Sequence, residues 1–201
     1  MLSKNEQEKE KALKTPDEAL QCLMEGNERF VNDKLTNLGQ SLNILRQHTV
    51  EKQEPFATVL SCVDSRVPVE LVFDQTIGQL LVARVAGNII TPEILGSLEF
   101  GAALLKTKVI LVLGHSSCGA VTAAMKGDAV PGLIGSFFPH IQPAVDKAHG
   151  DLQKAVEENA RLQAGLLEKS SPLLAGLVQD GELKIVAGIY DLASGRVSLL
   201  D

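Results

Sequence analysis

Apolar positions along this chain follow two rhythms. Leu20, Leu23, Met24, Asn27 and Val31 recur at helical spacing behind Thr15-Pro16-Asp17-Glu18. There Thr15 can cap, Pro16 suits the first helical position and Glu18 completes a capping box. Residues 34–55 are polar and poorly patterned, and from residue 56 continuous apolar runs alternate with helical stretches. The runs predict strands over 56–62, 79–85, 108–114 and 183–190. The stretches between them predict helices over 68–75, 91–106, 118–126, 133–148, 151–169 and 172–179, with Ser116 or Ser117 capping the one that opens at Cys118. Ser194-Gly195 is a turn signal, so residues 196–200 pair back as a hairpin. Unbroken apolar strands joined by helices indicate a parallel sheet buried on both faces. The fold class is therefore α/β: a central, mostly parallel β-sheet flanked by helices, with an N-terminal helical arm and a C-terminal antiparallel edge hairpin. Residues 1–14 are charged without an apolar face and read as a flexible N-terminus, while 15–201 read as one domain.

Charge and cysteine count narrow the function classes. A net charge of −6 with no Lys/Arg-rich stripe argues against nucleic acid or an anionic membrane as a partner. No apolar run reaches the ~18 residues of a membrane span, and Met1–Lys11 has no apolar signal region. A cytoplasmic location is expected. Three cysteines without a secretion signal give no disulfide framework, which leaves metal binding or catalysis for Cys62 and Cys118. Cys22, on the first helix, reads as a small buried hydrophobe.

The candidate chemistry sits at the ends of two strands. Cys62 closes the first sheet strand, His115 closes the third, and Cys118 follows three residues later. Two thiolates and an imidazole suit zinc, and three protein ligands leave a fourth position, as in a catalytic site. Cys118 opens a helix whose N-terminal partial charge favours a thiolate. In Cys62-Val63-Asp64-Ser65-Arg66 the extended alternation places Cys62, Asp64 and Arg66 on one face. An Asp64 carboxylate held by Arg66 is kept off the metal; released, it becomes the fourth ligand and closes the site. His48, His140 and His149 read as surface or loop residues.

Cys62-Val-Asp64-Ser65-Arg66-Val67-Pro68, Ala83-Arg84-Val85-Ala86-Gly87-Asn88, Gly96-Ser97-Leu98-Glu99-Phe100 and Gly114-His115-Ser116-Ser117-Cys118-Gly119-Ala120 resemble, in order and spacing, the β-class carbonic anhydrases. The likeness extends over roughly 15–201, including Glu25-Gly26-Asn27-Glu28-Arg29-Phe30 and Ile189-Tyr190-Asp191-Leu192. It implies one Zn2+ per chain, held by Cys62, His115 and Cys118 with Asp64 as exchangeable fourth ligand, and Asp64–Arg66 as catalytic dyad. The implied reaction is reversible hydration of CO2 to bicarbonate and a proton by zinc-bound hydroxide. CO2 would sit in a small apolar pocket to which Gln53, Ala86, Gly87 and Gly119 belong. A homodimer or dimer of dimers is implied, the 16–33 helix wrapping the partner. One subgroup of the family has an inhibitory bicarbonate pocket built around a tryptophan three residues before the first zinc cysteine. That position is Val59 here, and the chain has no Trp, although Arg84 and Tyr190 match the pocket's other members. An open site, with Asp64 on Arg66, is the resulting expectation. The rival readings are a carbonyl sulfide or carbon disulfide hydrolase on the same zinc scaffold, a non-catalytic protein with a structural zinc, and a thiol oxidoreductase.

Overall fold

The computed structural model describes residues 15–36 and 50–201. The expected flexible stretch 1–14 and His48 lie outside them. Helix α1 (Pro16–Val31) starts as the sequence predicts: Thr15 Oγ1 accepts from Glu18 N, and Glu18 returns a carboxylate to Thr15 N. The sheet strands are β1 (Ala57–Ser61), β2 (Leu80–Arg84), β3 (Val109–His115), β4 (Lys184–Tyr190) and β5 (Val197–Leu200). They lie in the order β2-β1-β3-β4-β5, all parallel except β5, which pairs antiparallel with β4.

Every residue of β1 and β3 is buried, which explains their mainly apolar character; Thr58, Ser61 and His115 are the buried polar exceptions. One face of the sheet is covered by α3 (Pro92–Glu99), α4 (Gly119–Lys126), α5 (Phe138–Ala148), α6 (Leu152–Ser170) and α7 (Pro172–Gln179), with Leu60, Ile110, Val112, Ile141, Leu167 and Leu174 in the core between. The other face carries α1 and the short α2 (Val69–Val72), packed through Leu23, Val59, Phe73, Leu111 and Leu113.

Helix α1 lies against its own sheet. Asn27, almost fully buried, donates to Val72 O and Gly195 O and accepts from Val197 N, so one amide joins α1 to α2 and β5. Gly26 is required because a Cβ there would run into the Phe73 carbonyl. Ion pairs Lys184–Asp17 and Arg196–Glu28 clip the helix to β4 and to the turn before β5.

Three expectations are corrected. The 68–75 helix shrinks to Val69–Val72, because Asp74 turns left-handed (φ 45°) to receive Arg29 Nε and the Thr36 amide. The 91–106 helix is α-helical only to Glu99 and widens into a π-turn over Phe100–Leu104. Gly101 within that turn is seated against Thr58 Oγ1, where a Cβ would fall 2.6 Å away. Finally, neither Ser116 nor Ser117 caps α4; the cap residue is Cys118 itself.

Candidate metal centre

Topology decides where the site forms. From β1 the chain steps out to β2, then crosses back over β1 to β3, so strand order reverses between β1 and β3. In open α/β sheets the crevice beyond the carboxyl ends at such a reversal is the ligand position. Cys62 leaves β1 there and His115 ends β3 there, with Ser61 paired to Leu113 in the register between them. The turn after β3 puts Cys118 at the start of α4.

The Cys62 and Cys118 sulfurs and a His115 ring nitrogen lie within 4.8 Å of one another, and all three residues are buried. His115 Nδ1 stands 3.0 Å from Ser116 O. A carbonyl only accepts, so Nδ1 carries the proton and Nε2 presents its lone pair. Nε2 is buried without a partner. An orphaned imidazole nitrogen facing two sulfurs is the state expected of a residue whose partner is a cation.

The thiols are tuned in opposite directions. Cys62 is lowered from the ordinary thiol value to about 4, chiefly by the Cys118 thiol donating to its sulfur, with help from the Gly87 and Asp64 backbone. Cys118 is pushed up by that same pairing and by burial, although the Ala120 and Val121 amides at the head of α4 work the other way. The helix-terminus effect expected from the sequence is thus present but outweighed by a second sulfur. Only a cation lets both become thiolates, and the donor set fits zinc.

Asp64 reaches the cluster by a turn rather than by extended alternation. Ser65–Arg66 form a turn closed by Val67 N donating to Asp64 O at 3.1 Å. The Asp64 carboxylate accepts from Arg66 N at 2.9 Å, Arg66 Nε at 3.0 Å and Arg66 Nη2 at 2.8 Å. The Arg66 guanidinium holds the Asp64 carboxyl well below the usual carboxylate range. Asp64 Oδ2 remains 3.9 Å from His115 Nε2, beside the cluster and tied away from it.

A model of the carbonic anhydrase family matches residues 57–197, from the first residue of β1 to the first of β5. The chain belongs to the β-class carbonic anhydrases. It is thereby a carbonate dehydratase, a lyase. It is 34% identical over 194 residues to carbonic anhydrase 2 of Mycobacterium tuberculosis, covering 92% of this chain and 93% of that protein. Identity to the carbonic anhydrase of Mycolicibacterium smegmatis is 35% over 193 residues, with 92% and 93% covered. Among solved structures the β-carbonic anhydrase CcaA superposes with a TM-score of 0.73 at 26% identity, over 90% of this chain and 87% of that one. A chain from the crystal structures of two tetrameric β-carbonic anhydrases of Sordaria macrospora shares the fold (TM-score 0.69, 18% identity, 90% and 96% covered).

Other predicted site residues distribute unevenly. Gly87 donates its amide to Cys62 Sγ at 3.4 Å from the 3-10 turn Ala86–Asn88, and Gly119 is exposed at the first turn of α4. Gln53 does not line this chain's cluster. It is exposed and precedes β1, the opposite end of the strand from Cys62. His140 and His149 are exposed, and Cys22 is half-buried, with Gln75 Nε2 3.9 Å from its sulfur.

Sequence reasoning missed the outer scaffold. Arg84, at the end of β2, donates to Cys62 O at 2.8 Å and Asp64 O at 2.7 Å, pinning the segment that carries both. Ser116 Oγ accepts from Leu192 N and donates to Asp191, tying the His115–Cys118 turn to the end of β4. Asn159 and Gln163 brace the Gly87 turn from α6. Motif spacing could signal none of these, since each bridges segments brought together only by the sheet.

Proposed function

We propose that the chain catalyses reversible hydration of CO2 to bicarbonate and a proton with one Zn2+ held by Cys62, His115 and Cys118. The observation that carries this is the buried, unpartnered His115 Nε2 facing two sulfurs beside an Asp64 carboxylate already committed to Arg66. Zinc bound there would supply Lewis acidity, lowering the pKa of a coordinated water to near neutrality. The chain's own residues do the rest. Arg66 fixes the Asp64 carboxylate in one orientation and keeps it ionised. Asp64 Oδ2, on the side turned toward His115, accepts a hydrogen bond from the reacting water. The Ala86–Gly87 turn and Gly119 flank the cluster where a small apolar substrate would stand.

The open arrangement is the working state. Val59 is fully buried under α1, and Tyr190 belongs to the same cluster. Arg84 is spent on two backbone carbonyls. These supports leave nothing to draw Asp64 off Arg66, so an inhibitory bicarbonate pocket is not part of the reading. A permanent structural zinc with Asp64 as fourth ligand is disfavoured for the same reason: three donors from Arg66 compete for that carboxylate.

Assembly as a homodimer or dimer of dimers is part of the proposal. It is supported by exposed apolar side chains on the π-turn, Phe100 and Leu104 (69% exposed), and by the open edge of β2. In such an assembly Gln53 serves a site across the boundary between copies, since it stands at the wrong end of β1 for its own. Two thiolate ligands and no disulfide among the described residues suit a reducing compartment, and a cytoplasmic site of action is proposed. Among the described residues no helix is long and apolar enough to cross a membrane.

The test is stopped-flow CO2 hydration on protein of known zinc content from about pH 6.5 to 9. Fast hydration rising through one ionisation is expected. No hydration with one zinc per chain refutes the proposal and directs assays to carbonyl sulfide and carbon disulfide.

A further inference from the structure

The wall behind the Cys62 sulfur is built from side-chain amides. Gly87 N donates to Cys62 Sγ at 3.4 Å from a turn that needs a positive φ of 72°. The carbonyl of the same residue accepts from Asn159 Nδ2 at 2.8 Å. One turn further along α6, Gln163 Oε1 accepts from Ile90 N at 2.9 Å, while its Nε2 donates to Asn159 Oδ1 at 3.2 Å and to His140 O at 3.1 Å. Asn159 is 1% exposed and Gln163 0%. Their neighbours on that face of α6 (Ala155, Val156, Ala160, Leu167) are apolar.

Two amides four residues apart on an otherwise apolar helix face are not needed to pack the helix; apolar side chains of similar volume would do that. What they do is grip the 86–90 segment at both ends, one by the Gly87 carbonyl and the other by the Ile90 amide. The Gly87 N–H and C=O lie in adjacent peptide planes hinged at the Gly87 Cα, so with Gly87 held at φ 72°, ψ 16° a grip on its carbonyl also fixes the direction in which its N–H meets the sulfur.

We propose that Asn159 and Gln163 are positioning residues for the metal centre, acting through the Gly87 amide to hold a hydrogen bond on the Cys62 ligand. The proposal rests on Cys62, His115 and Cys118 binding a divalent ion. A peptide N–H on a ligating thiolate withdraws charge from the sulfur and holds it at one angle. Loss of that contact makes the sulfur a more electron-rich and less firmly placed donor.

The experiment compares wild type, Asn159→Leu, Asn159→Asp and Gln163→Leu, each purified and shown folded by circular dichroism. Zinc affinity is measured by chelator competition, and the cobalt-substituted proteins are recorded in the sulfur-to-metal charge-transfer region. Zinc affinity is expected to fall about 10-fold or more in both Asn159 variants and in the same direction, by less, in Gln163→Leu. The charge-transfer band should move to longer wavelength, because sulfur lone pairs without a hydrogen bond lie higher in energy. A purely structural role would lower the melting temperature of the metal-free protein and leave both readouts unmoved. Folded variants with wild-type affinity and band position overturn the proposal. If Asn159→Leu does not fold, Asn159→Asp, which keeps the shape and removes the donor, decides it. Wild type that takes up neither zinc nor cobalt refutes the metal reading beneath, a result distinguishable from failure of the positioning role alone.

Discussion

Replacing Gly87 by alanine probes the junction of backbone, core and metal ligand. Gly87 has φ 72°, a left-handed conformation that costs an L-residue roughly 1–2 kcal/mol. A Cβ there would sit 2.8 Å from Ile141 Cδ1 and 3.4 Å from Ala120 Cβ. Ile141 is fully buried, so relief requires repacking between α5 and the turn, at about 1–3 kcal/mol. Together these give a destabilisation of about 3 kcal/mol, or a fall in melting temperature of about 6–12 °C for a domain of this size. Shifting the turn also draws its amide away from Cys62 Sγ, so zinc affinity should drop alongside stability. Urea unfolding of metal-free protein, at one fixed protein concentration because assembly contributes to stability, measures the first effect. Chelator competition measures the second. Gly96→Ala is the control: it lies inside α3, and a methyl there would have no neighbour within 4 Å, so the same substitution should stabilise by about 0.5–1 kcal/mol. A Gly87→Ala protein within about 0.5 kcal/mol of wild type would show that the turn is not held against Ile141, and would refute the reasoning.

Further expectations follow from the same geometry. Arg66→Gln frees the Asp64 carboxylate, whose Oδ2 lies 3.9 Å from His115 Nε2, to move onto the cluster, and should lower kcat about 100-fold while zinc stays at one per chain by metal analysis. Because Asp64 is held below the usual carboxylate range, its pairing contributes stability above about pH 4 and loses it as pH falls through the depressed native value. The stability gap between wild type and Asp64→Asn should therefore narrow on acidification, read by urea unfolding at about pH 6 and about pH 3. Asn27→Ala leaves the Val197 amide and the Val72 and Gly195 carbonyls unpaired and should cost roughly 2–4 kcal/mol, with hydration per folded molecule unchanged in stopped flow. Stripping the metal should lower the melting temperature, with recovery on adding zinc, since the two buried sulfurs and His115 Nε2 then lack their common partner.

Much of this architecture was legible along the chain because it is local. Thr15-Pro16-Asp17-Glu18 makes its own capping box whatever surrounds it, and the mainly apolar runs at 57–61 and 109–115 mark strands buried on both faces. The order Cys-x-Asp-x-Arg then His-x-x-Cys likewise named the ligand candidates, since Cys62 and His115 stand at strand ends and Cys118 opens a helix. Where local signals compete with tertiary contacts they were less reliable. The serines after His115 looked like caps, yet Ser116 is drawn to the end of β4 and Cys118 takes the N-cap position without a side-chain cap hydrogen bond. Asp64 and Arg66 meet through a turn and not through strand alternation.

What the sequence alone determined is therefore the set of elements and the chemical identity of the donors, because periodicity, capping and residue type act within a few residues. Strand order belongs to the tertiary structure. The crossing from β2 back over β1 sets β3 beside β1, and that placement brings Cys62 within reach of a histidine 53 positions further along the chain. Tertiary structure also decided that Arg84 pins the Asp64 segment, that Asn159 and Gln163 grip the Gly87 turn, and that Gln53 stands away from its own site. Such contacts join residues tens of positions apart, and only the packed sheet sets the distances between them.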